Sequence, residues 1–242
     1  MKIIRTIVWF IYFWLYLIVI MPGLYKANRL QREGRIQELD EYTSKQVGRW
    51  ARSLLRVAGA KITVNGQENL SDAPAVYVSN HQGNFDVPIM LGCIGKPKPL
   101  MAKKELTKLP IIRDWMKHLR CIFVDRNNVR QAMNSLKEAG QLVENGYSVV
   151  VFPEGTRSKG DHMGEFKNGA FRIAVKAGVP IVPIRINGSY KLMEANGNLI
   201  GPADVDVTIL PPVQTEGLSK EEIAALPALV QDMIEQAGPQ AG

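Results

Sequence analysis

Residues 74–88 read PAVYVSNHQGNFDVP, a run in which a strand, a turn and the start of a helix follow one another. The apolar, β-branched residues 74–78 predict a buried strand that ends close to His81. Residues 82–84, Gln-Gly-Asn, favour a turn. The apolar residues after Asp86 predict a helix whose N-terminus lies beside that carboxylate, where negative charge is favourable.

His81 and Asp86 are close enough in sequence for a tight turn to fold the carboxylate back onto the imidazole ring. Asp86 would then bind one ring nitrogen and leave the other basic and facing outward. Such a pair is the base and the orienting group of a catalytic triad, without a nucleophile of its own. The alternative is a strand-end histidine and a helix-capping aspartate that never meet, which is the commoner outcome for an isolated H-x4-D pattern.

The basic residues are concentrated at the N-terminus. The whole chain has a formal net charge of +7, and residues 1–64 hold eleven Lys or Arg against four Asp or Glu, so the remainder is balanced. A basic segment can bind nucleic acid or an anionic membrane surface. The aromatic and aliphatic residues beside it favour the membrane, so no nucleic acid partner is expected.

Residues 6–25 carry no charge and are rich in aliphatic and aromatic side chains. Twenty helical residues reach roughly 30 Å, about the thickness of the hydrocarbon layer of a bilayer. A signal peptide is the alternative, but the run is long for one and lacks an A-x-A-like cleavage site. Basic residues flank both ends, which leaves open whether the helix spans the membrane or dips into one leaflet.

Residues 42–60 repeat apolar side chains at helical spacing beside Arg49, Arg52 and Arg56. This pattern predicts a basic amphipathic helix that lies either in a membrane interface or against the globular domain. We therefore predict a membrane-anchoring helical segment over residues 1–60 and an α/β domain over residues 61–242.

After residue 60, strand and helix signals alternate. A short strand and turn is predicted at 61–66, and strands at 75–79, 99–102, 121–124, 147–152, 181–186 and 205–210. Helices are predicted at 85–95, 105–119 with an interruption near Pro110, 127–145, 169–177 and from Ser219 onwards. The alternation predicts an α/β fold with a mixed, mostly parallel sheet flanked by helices and an N-terminal membrane-associated helical segment. Pro227 is expected to kink or divide the last helix.

Three further strand ends carry cationic or polar residues. Lys103 closes one strand, Arg126 follows another, and a third runs into Glu154-Gly155-Thr156-Arg157. Glycine allows close approach of backbone N–H groups, while threonine and arginine supply a hydroxyl and a bidentate cation, so the last group suits a phosphate. Loop arginines are usually solvated, but together with His81 these strand ends predict one pocket outside the carboxyl edge of the sheet.

Cys93 and Cys121 lie in apolar stretches, and neither their number nor their spacing indicates a disulfide framework or a zinc site. We expect them to be reduced and buried in a protein that faces the cytosol. The three histidines are too scattered to indicate a metal cluster, so no metal and no resident cofactor is expected.

Four motifs occur in a fixed order: NHQGNFD at 80–86, FVDR at 123–126, FPEGTRS at 152–158 and VPIVPI at 179–184, the last preceded by FKNGAF at 166–171. In these motifs the chain resembles the glycerolipid acyltransferases, and among them the 1-acylglycerol-3-phosphate (lysophosphatidic acid) acyltransferases. The resemblance covers about residues 64–186. The Glu-Gly-Thr-Arg form of the third motif favours lysophosphatidic acid over glycerol 3-phosphate as acceptor.

The resemblance implies that His81, oriented by Asp86, acts as general base on the sn-2 hydroxyl of 1-acylglycerol 3-phosphate. That hydroxyl attacks an acyl thioester, of coenzyme A or acyl carrier protein, and the product is phosphatidic acid. No acyl-enzyme is required, which fits the absence of a Ser or Cys next to His81 in sequence. The acceptor site is expected to comprise Lys103, Arg126, Glu154, Gly155, Thr156 and Arg157.

The expected partners are membrane lipid, namely lysophosphatidic acid and the anionic bilayer surface, with acyl carrier protein as one of two candidate donors. The expected location is the inner or plasma membrane, with the active site facing the cytoplasm. Three alternatives stay open: a transferase for another lysophospholipid or glycerol 3-phosphate, a thioesterase in which the same base activates water, and a non-catalytic lipid-binding protein.

Overall fold

The computed structural model describes residues 1–125 and 128–238. Within these residues there are seven α-helices: α1 (Lys2–Arg32), α2 (Ile36–Ala58), α3 (Asp86–Cys93), α4 (Pro110–His118), α5 (Val129–Glu144), α6 (Gly169–Ala177) and α7 (Lys220–Gln236). The strands are β1 (Ala60–Asn65), β2 (Val76–Ser79), β3 (Met101–Lys103), β4 (Ile122–Val124), β5 (Val149–Val151), β6 (Ile181–Asn187) and β7 (Ala203–Ile209). The alternation predicted after residue 60 is confirmed.

The main sheet has five strands in the order β1-β7-β6-β2-β5. Its neighbouring strands are parallel except for β6 and β7, which are antiparallel. β3 and β4 form a separate parallel pair, and a parallel bridge from Leu100 to Val150 joins this pair to β5. The predicted mixed, mostly parallel sheet is therefore confirmed.

The strand β2 lies at the centre of the molecule, and all of its residues are buried. Tyr77 belongs to a hydrophobic cluster shared with α1–α4, while Val76 and Val78 belong to a second cluster shared with α5–α7. Successive residues of a strand point to opposite faces, so a strand covered on both sides reads as one continuous apolar run. This is why residues 74–78 are apolar throughout.

The N-terminal helices pack on the rest of the protein. Apolar residues of α1 and α2, among them Trp9, Leu24 and Leu54, share one hydrophobic cluster with the sheet. For α2, packing against the globular domain is therefore seen. Arg49, Arg52 and Arg56 are exposed, and Arg52 also donates to the carbonyl of Gly92 in α3. The boundary proposed at residue 60 stays a prediction, but the hydrophobic core crosses it.

The helix α1 combines a buried face with an apolar exposed face. It is long and apolar enough to cross a membrane by length and composition. Its large exposed side chains include Ile3, Ile4, Ile7, Val8, Phe10, Ile11, Trp14, Leu15, Ile18, Val19, Met21 and Tyr25. A contiguous exposed apolar surface of this size indicates contact with an apolar partner or a membrane.

Two predictions about helix ends have different outcomes. Ser219 and Glu222 form the predicted capping box at the start of α7. Pro227 was expected to kink or divide this helix, and division is wrong, because α7 continues through it. Pro227 and its neighbours Leu226 and Val230 are buried, so the packing of this apolar face holds the helix together across the missing hydrogen bond.

Asn80 extends the pairing of β2 and β6 beyond the end of β2. Its side-chain amide donates to the carbonyl of Ile186 at 2.9 Å, and its side-chain oxygen accepts from the N–H of Ile186 at 2.8 Å. Asn80 is only 2% exposed, so neither backbone group of Ile186 has water as an easy substitute partner.

We predict that Asn80→Ala lowers the free energy of unfolding by about 2–4 kcal/mol, since two buried backbone groups lose their partner. Urea denaturation of the detergent-solubilised protein measures this difference. Asn168→Ala is the matched control, because Asn168 is exposed and makes no side-chain cap bond at the start of α6. A loss below about 0.5 kcal/mol for Asn80→Ala would mean that water replaces the amide.

Candidate active site

The functional side chains lie at one edge of the sheet. β2, β5 and β6 are parallel neighbours, so their carboxyl ends meet there. His81 follows β2, Glu154 follows β5 and Ser189 follows β6. The predicted pocket at the carboxyl edge is therefore present, and it has a contributor after β6 that the motifs did not indicate.

His81 and Asp86 meet as predicted. The turn between β2 and α3 brings Nδ1 of His81 to 2.7 Å from Oδ2 of Asp86. The same carboxylate oxygen accepts from the N–H of Gly83 at 2.8 Å, and the Ser189 hydroxyl donates to Oδ1. Asp86 is fully buried, and three donors therefore hold its carboxylate in one orientation.

The imidazole of His81 is held with one nitrogen turned toward the carboxylate. An Nδ1–H donated to Asp86 leaves Nε2 with a free lone pair, which is the tautomer a general base needs. The ring stacks on Phe152 with centroids 4.2 Å apart and planes 19° apart. Its side chain is 12% exposed, so the ring is fixed by its neighbours yet reachable from the adjoining cavity.

Glu154 has a different place from the one predicted. Its Oε1 accepts from the N–H of His81 at 2.6 Å, and its Oε2 accepts from the N–H of Gly164 at 2.8 Å. It is buried and is not among the residues that line the cavity, because its carboxylate is turned toward these backbone groups. The carboxylate of Glu154 therefore holds the backbone of His81 and does not face the cavity, and a part for Glu154 in the acceptor site stays a prediction.

The loop after Glu154 lies along the turn that carries His81. The N–H of Ser158 donates to the carbonyl of His81 at 2.8 Å, and the N–H of Lys159 donates to the carbonyl of Gln82 at 3.0 Å. Gly155 has φ +71°, in the left-handed region that favours glycine, where the chain turns into this loop. The pairing brings Arg157 alongside Asn84, whose side-chain oxygen accepts from its guanidinium.

The predicted cations are brought together in part. Lys103, Thr156 and Arg157 line the same cavity as His81, together with Lys159. Gly155 is not among the lining residues. Arg126 was predicted to join this site and lies outside the described residues. Lys104, the neighbour of Lys103, donates to Asp125 at 2.5 Å.

A cavity of about 720 Å³ opens beside His81. Its walls come from α1, α2, α3, α4 and the segment leading into β3, and most of its lining side chains are apolar. The apolar lining includes Trp9, Phe13, Leu17, Val47, Trp50, Leu54, Leu91, Leu100, Trp115 and Met116. Arg157 and Lys159 lie close to His81, because their loop pairs with the turn that carries it. We call the end of the cavity lined by His81, Arg157 and Lys159 its mouth; Lys103 and Glu105 also line the cavity.

Two carboxyl-edge residues were missed from the sequence, Ser189 and Glu194. Glu194 accepts from the N–H of Asn84 at 2.8 Å, and its carboxylate lies 3.4 Å from Arg157. Ser189 could have been predicted from the sequence, because it follows β6, a strand that is parallel to β2 and ends at the same edge of the sheet. Glu194 could not have been predicted in this way, because a carboxylate that accepts a hydrogen bond from a distant backbone N–H leaves no pattern in the sequence.

Comparison with known families identifies one matching family model. The model described as Acyltransferase matches residues 61–187, more than half of the chain. The match takes in His81, Asp86 and the 154–157 loop, and it ends before Ser189 and Glu194.

Curated relatives carry a consistent description. A probable 1-acyl-sn-glycerol-3-phosphate acyltransferase from Mycoplasma pneumoniae is 36% identical over 66% of this chain and 61% of its own length. The 1-acyl-sn-glycerol-3-phosphate acyltransferase of Haemophilus influenzae is 31% identical over 78% of this chain and 79% of its own. The chain spans only about half the length of some relatives, such as 45% of a chloroplastic enzyme from Brassica napus.

One solved structure is similar over nearly the whole chain. The crystal structure of the 1-acyl-sn-glycerophosphate acyltransferase PlsC from Thermotoga maritima superposes with a TM-score of 0.81 at 30% identity. The match covers 98% of this chain and 95% of that one. The fold described above, including its N-terminal helices, is therefore the fold of that protein.

The pH dependence of stability tests the position of Glu154. Burial raises the pKa of its carboxyl, and the N–H groups of Gly164 and His81 oppose the rise. Because the folded pKa exceeds that of the unfolded chain, about 4.3, the stabilising contribution is present at low pH and is lost as the pH rises through the folded pKa.

We predict that the free energy of unfolding of the wild type, relative to Glu154→Gln, falls as the pH rises from about 4 toward neutrality, since glutamine does not titrate. Denaturation curves over this pH range measure the difference. Exposed Glu165→Gln controls for the loss of one negative charge from the same loop region. A relative stability that grows with pH would show instead that the fold favours the ionised form of Glu154.

Proposed function

The chain belongs to the acyltransferase family, and from this premise we propose that it transfers a fatty acyl group from an acyl thioester to the sn-2 hydroxyl of 1-acylglycerol 3-phosphate. The product would be phosphatidic acid. One observation carries the proposal: the His81–Asp86 pair stands where an apolar cavity meets a cluster of cations. A lysolipid phosphate offers a hydroxyl, an apolar chain and an anion in the same molecule.

In the proposed reaction His81 is the general base. Nε2 takes the proton of the acceptor hydroxyl while the hydroxyl oxygen attacks the thioester carbonyl carbon. The C–S bond then breaks, the new ester bond remains, and the proton on the imidazolium passes to the departing thiolate. Asp86 stabilises the imidazolium through the 2.7 Å contact with Nδ1 and keeps Nε2 turned outward.

The reaction needs no nucleophile from the protein. Within the described part of the chain, no Ser or Cys side chain hydrogen-bonds to the ring of His81; Ser189 instead donates to Asp86. Cys121 also lines the cavity, but burial raises the pKa of its thiol to about 12. Burial therefore favours the protonated thiol, which is a poor nucleophile.

The cations at the mouth suit the phosphate of the acceptor. Arg157, Lys103 and Lys159 line the cavity beside His81, and Thr156 adds a hydroxyl. An arginine can donate two parallel hydrogen bonds to a phosphate, while lysines act as point charges. The glycerol hydroxyl is only a few bonds from this phosphate, so a phosphate held here would bring it near Nε2.

The acyl chain of a substrate fits the apolar part of the cavity. Its volume of about 720 Å³ and its lining of aliphatic and aromatic side chains match what buried lipid chains require. Tight burial of each methylene contributes about 0.8 kcal/mol, so a long chain would bind chiefly through this wall.

The N-terminal helix supports a position at a membrane surface. Close to the N-terminus of α1, Lys2 contacts Asn196 and Thr6 accepts from the N–H of Ile200, while near its other end Asn28 contacts His118. A helix tied to the globular domain along its length cannot cross a bilayer away from it. We therefore propose that α1 lies in one leaflet, its exposed apolar face in lipid, with the active site on the cytoplasmic side of the inner or plasma membrane.

A panel of lysolipids supplied with a labelled acyl thioester tests the function and separates its alternatives. We expect phosphatidic acid from 1-acylglycerol 3-phosphate in preference to products from glycerol 3-phosphate or other lysophospholipids. Acyl-coenzyme A and acyl-acyl carrier protein are compared in the same assay, since both donors remain candidates. Thiol released from the donor at an unchanged rate without any acceptor would indicate a thioesterase and overturn the transferase.

We predict that His81→Ala lowers kcat by about 10²–10⁴-fold, the usual contribution of general-base catalysis. Exposed His162→Ala is the control and should retain normal turnover. Near-normal turnover of His81→Ala would refute the role of His81 as base, provided that its thermal unfolding matches the wild type.

We predict that Arg157→Ala raises the acceptor KM about 10- to 100-fold, since it removes charge-assisted hydrogen bonds to the phosphate. Initial rates at varied acceptor and saturating donor measure the change. Arg172→Ala, on the exposed side of α6, is the matched control. A change confined to the KM of the donor would contradict a role for Arg157 in acceptor binding.

A further inference from the structure

We propose that Glu194 is a positioning residue for the acceptor head group, which it serves by fixing Arg157 and the turn after His81. Glu194 lies beyond the region matched by the family model, on a short 3-10 helix at Glu194–Asn196 that follows β6. The inference rests on the proposed function, because its consequence appears in the binding of an anionic acceptor.

The carboxylate of Glu194 is placed between two parts of the site. Its Oε1 accepts from the N–H of Asn84 at 2.8 Å and lies 3.4 Å from Nη1 of Arg157. The side-chain oxygen of Asn84 accepts from the same Nη1. Glu194, Asn84 and Arg157 therefore form a closed set of contacts beside the turn that carries His81.

Glu194 is buried, whereas the arginine beside it is reachable. The side chain of Glu194 is 3% exposed and that of Arg157 is 30% exposed. Arg157 lines the cavity and Glu194 does not, so the carboxylate supports the guanidinium from behind. Glu194 is therefore placed to act through Arg157.

The fit around Glu194 is close. A Cβ added at Gly83 would lie 2.5 Å from Oε2 of Glu194, so a side chain at this position would displace the carboxylate from where it lies. Oε2 is buried and has no hydrogen-bond partner among the described residues. Burying a carboxylate oxygen without a hydrogen-bond partner costs free energy, and the contacts of Oε1 with Asn84 and Arg157 offset that cost.

The contacts of Arg157 leave part of its guanidinium group able to bind a ligand. Among residues 1–125 and 128–238, both of its hydrogen-bond partners use Nη1. Its remaining N–H groups can therefore face a phosphate at the cavity mouth. An arginine held in this way loses less side-chain entropy when it binds, which improves affinity for the phosphate.

The segment that bears Glu194 is itself anchored by α1. The side chain of Lys2 donates to Asn196 at 2.6 Å, and the N–H of Ile200 donates to the Thr6 hydroxyl at 2.8 Å. The same segment begins with Ser189, which donates to Asp86. One stretch of chain after β6 thus supports both the base and the acceptor arginine through different residues.

The test is steady-state kinetics of Glu194→Gln with 1-acylglycerol 3-phosphate. Glutamine keeps an acceptor for the N–H of Asn84 and loses the charge that holds Arg157. We expect the acceptor KM to rise about 5- to 10-fold, as for the loss of one charged hydrogen bond, with kcat and the donor KM within about twofold of wild type. Added to Arg157→Ala, the same change should have no further effect on the acceptor KM.

Three comparisons separate this role from general damage. Glu165→Gln, which removes an exposed charge from a nearby loop, should leave the acceptor KM unchanged. Ser189→Ala should lower kcat and leave the acceptor KM unchanged, because it alters the support of Asp86. Rates with 1-monoacylglycerol, an acceptor without phosphate, should be the same for Glu194→Gln and wild type.

Several outcomes would overturn the inference while leaving the proposed function intact. The first is a lower acceptor KM in Glu194→Gln, which would mean that Glu194 competes with the phosphate for Arg157. The second is an equal rise in acceptor KM in Glu194→Gln and Ser189→Ala. The third is a rise in acceptor KM from Glu194→Gln that is just as large in the Arg157→Ala background. Failure of the wild type to acylate any lysolipid would instead refute the proposed function itself.

Discussion

The site depends on a short turn whose backbone N–H groups are held by buried carboxylates. The N–H of His81 donates to Glu154, that of Gly83 to Asp86, and that of Asn84 to Glu194. Glu154 and Glu194 come from distant segments and tie the turn to the segments after β5 and β6, whereas Asp86 lies three residues from Gly83 and closes the turn itself. Charge-assisted hydrogen bonds are about twice as strong as neutral ones, and here they fix the backbone that presents His81.

This arrangement explains why the candidate site lies at the carboxyl edge of the sheet. Parallel strands end together there, so the loops after β2, β5 and β6 can exchange hydrogen bonds without long detours. Asn80 joins the ends of β2 and β6 through both backbone groups of Ile186. Ser158 and Lys159 pair with the carbonyls of the His81 turn from the loop after β5. Strands β2, β5 and β6 set the positions of the loops, and the loops carry the polar side chains of the site.

Sequence motifs predicted the His81–Asp86 contact and the cations of this site, but not the hydrogen bonds that carboxylates accept from the backbone. The H-x4-D spacing predicted the His81–Asp86 contact, and strand-end cations predicted Arg157 and Lys103 at the cavity. Glu154 was visible in its motif, but its use as an acceptor for the backbone of His81 depends on tertiary geometry. Glu194 is brought to Asn84 from 110 residues away, and nothing in its local sequence distinguishes it from a solvated glutamate.

The N-terminal helix α1 links the site to its surroundings. Trp9 and Phe13 line the cavity, and exposed Ile11 and Trp14 belong to the same helix. One helix therefore forms both a wall of the cavity and the apolar outer surface. If that surface lies in a leaflet, a lysolipid needs to leave the membrane only as far as the thickness of a helix. The free energy of transferring its chain into water is then avoided, since apolar surface surrounds the chain at each step.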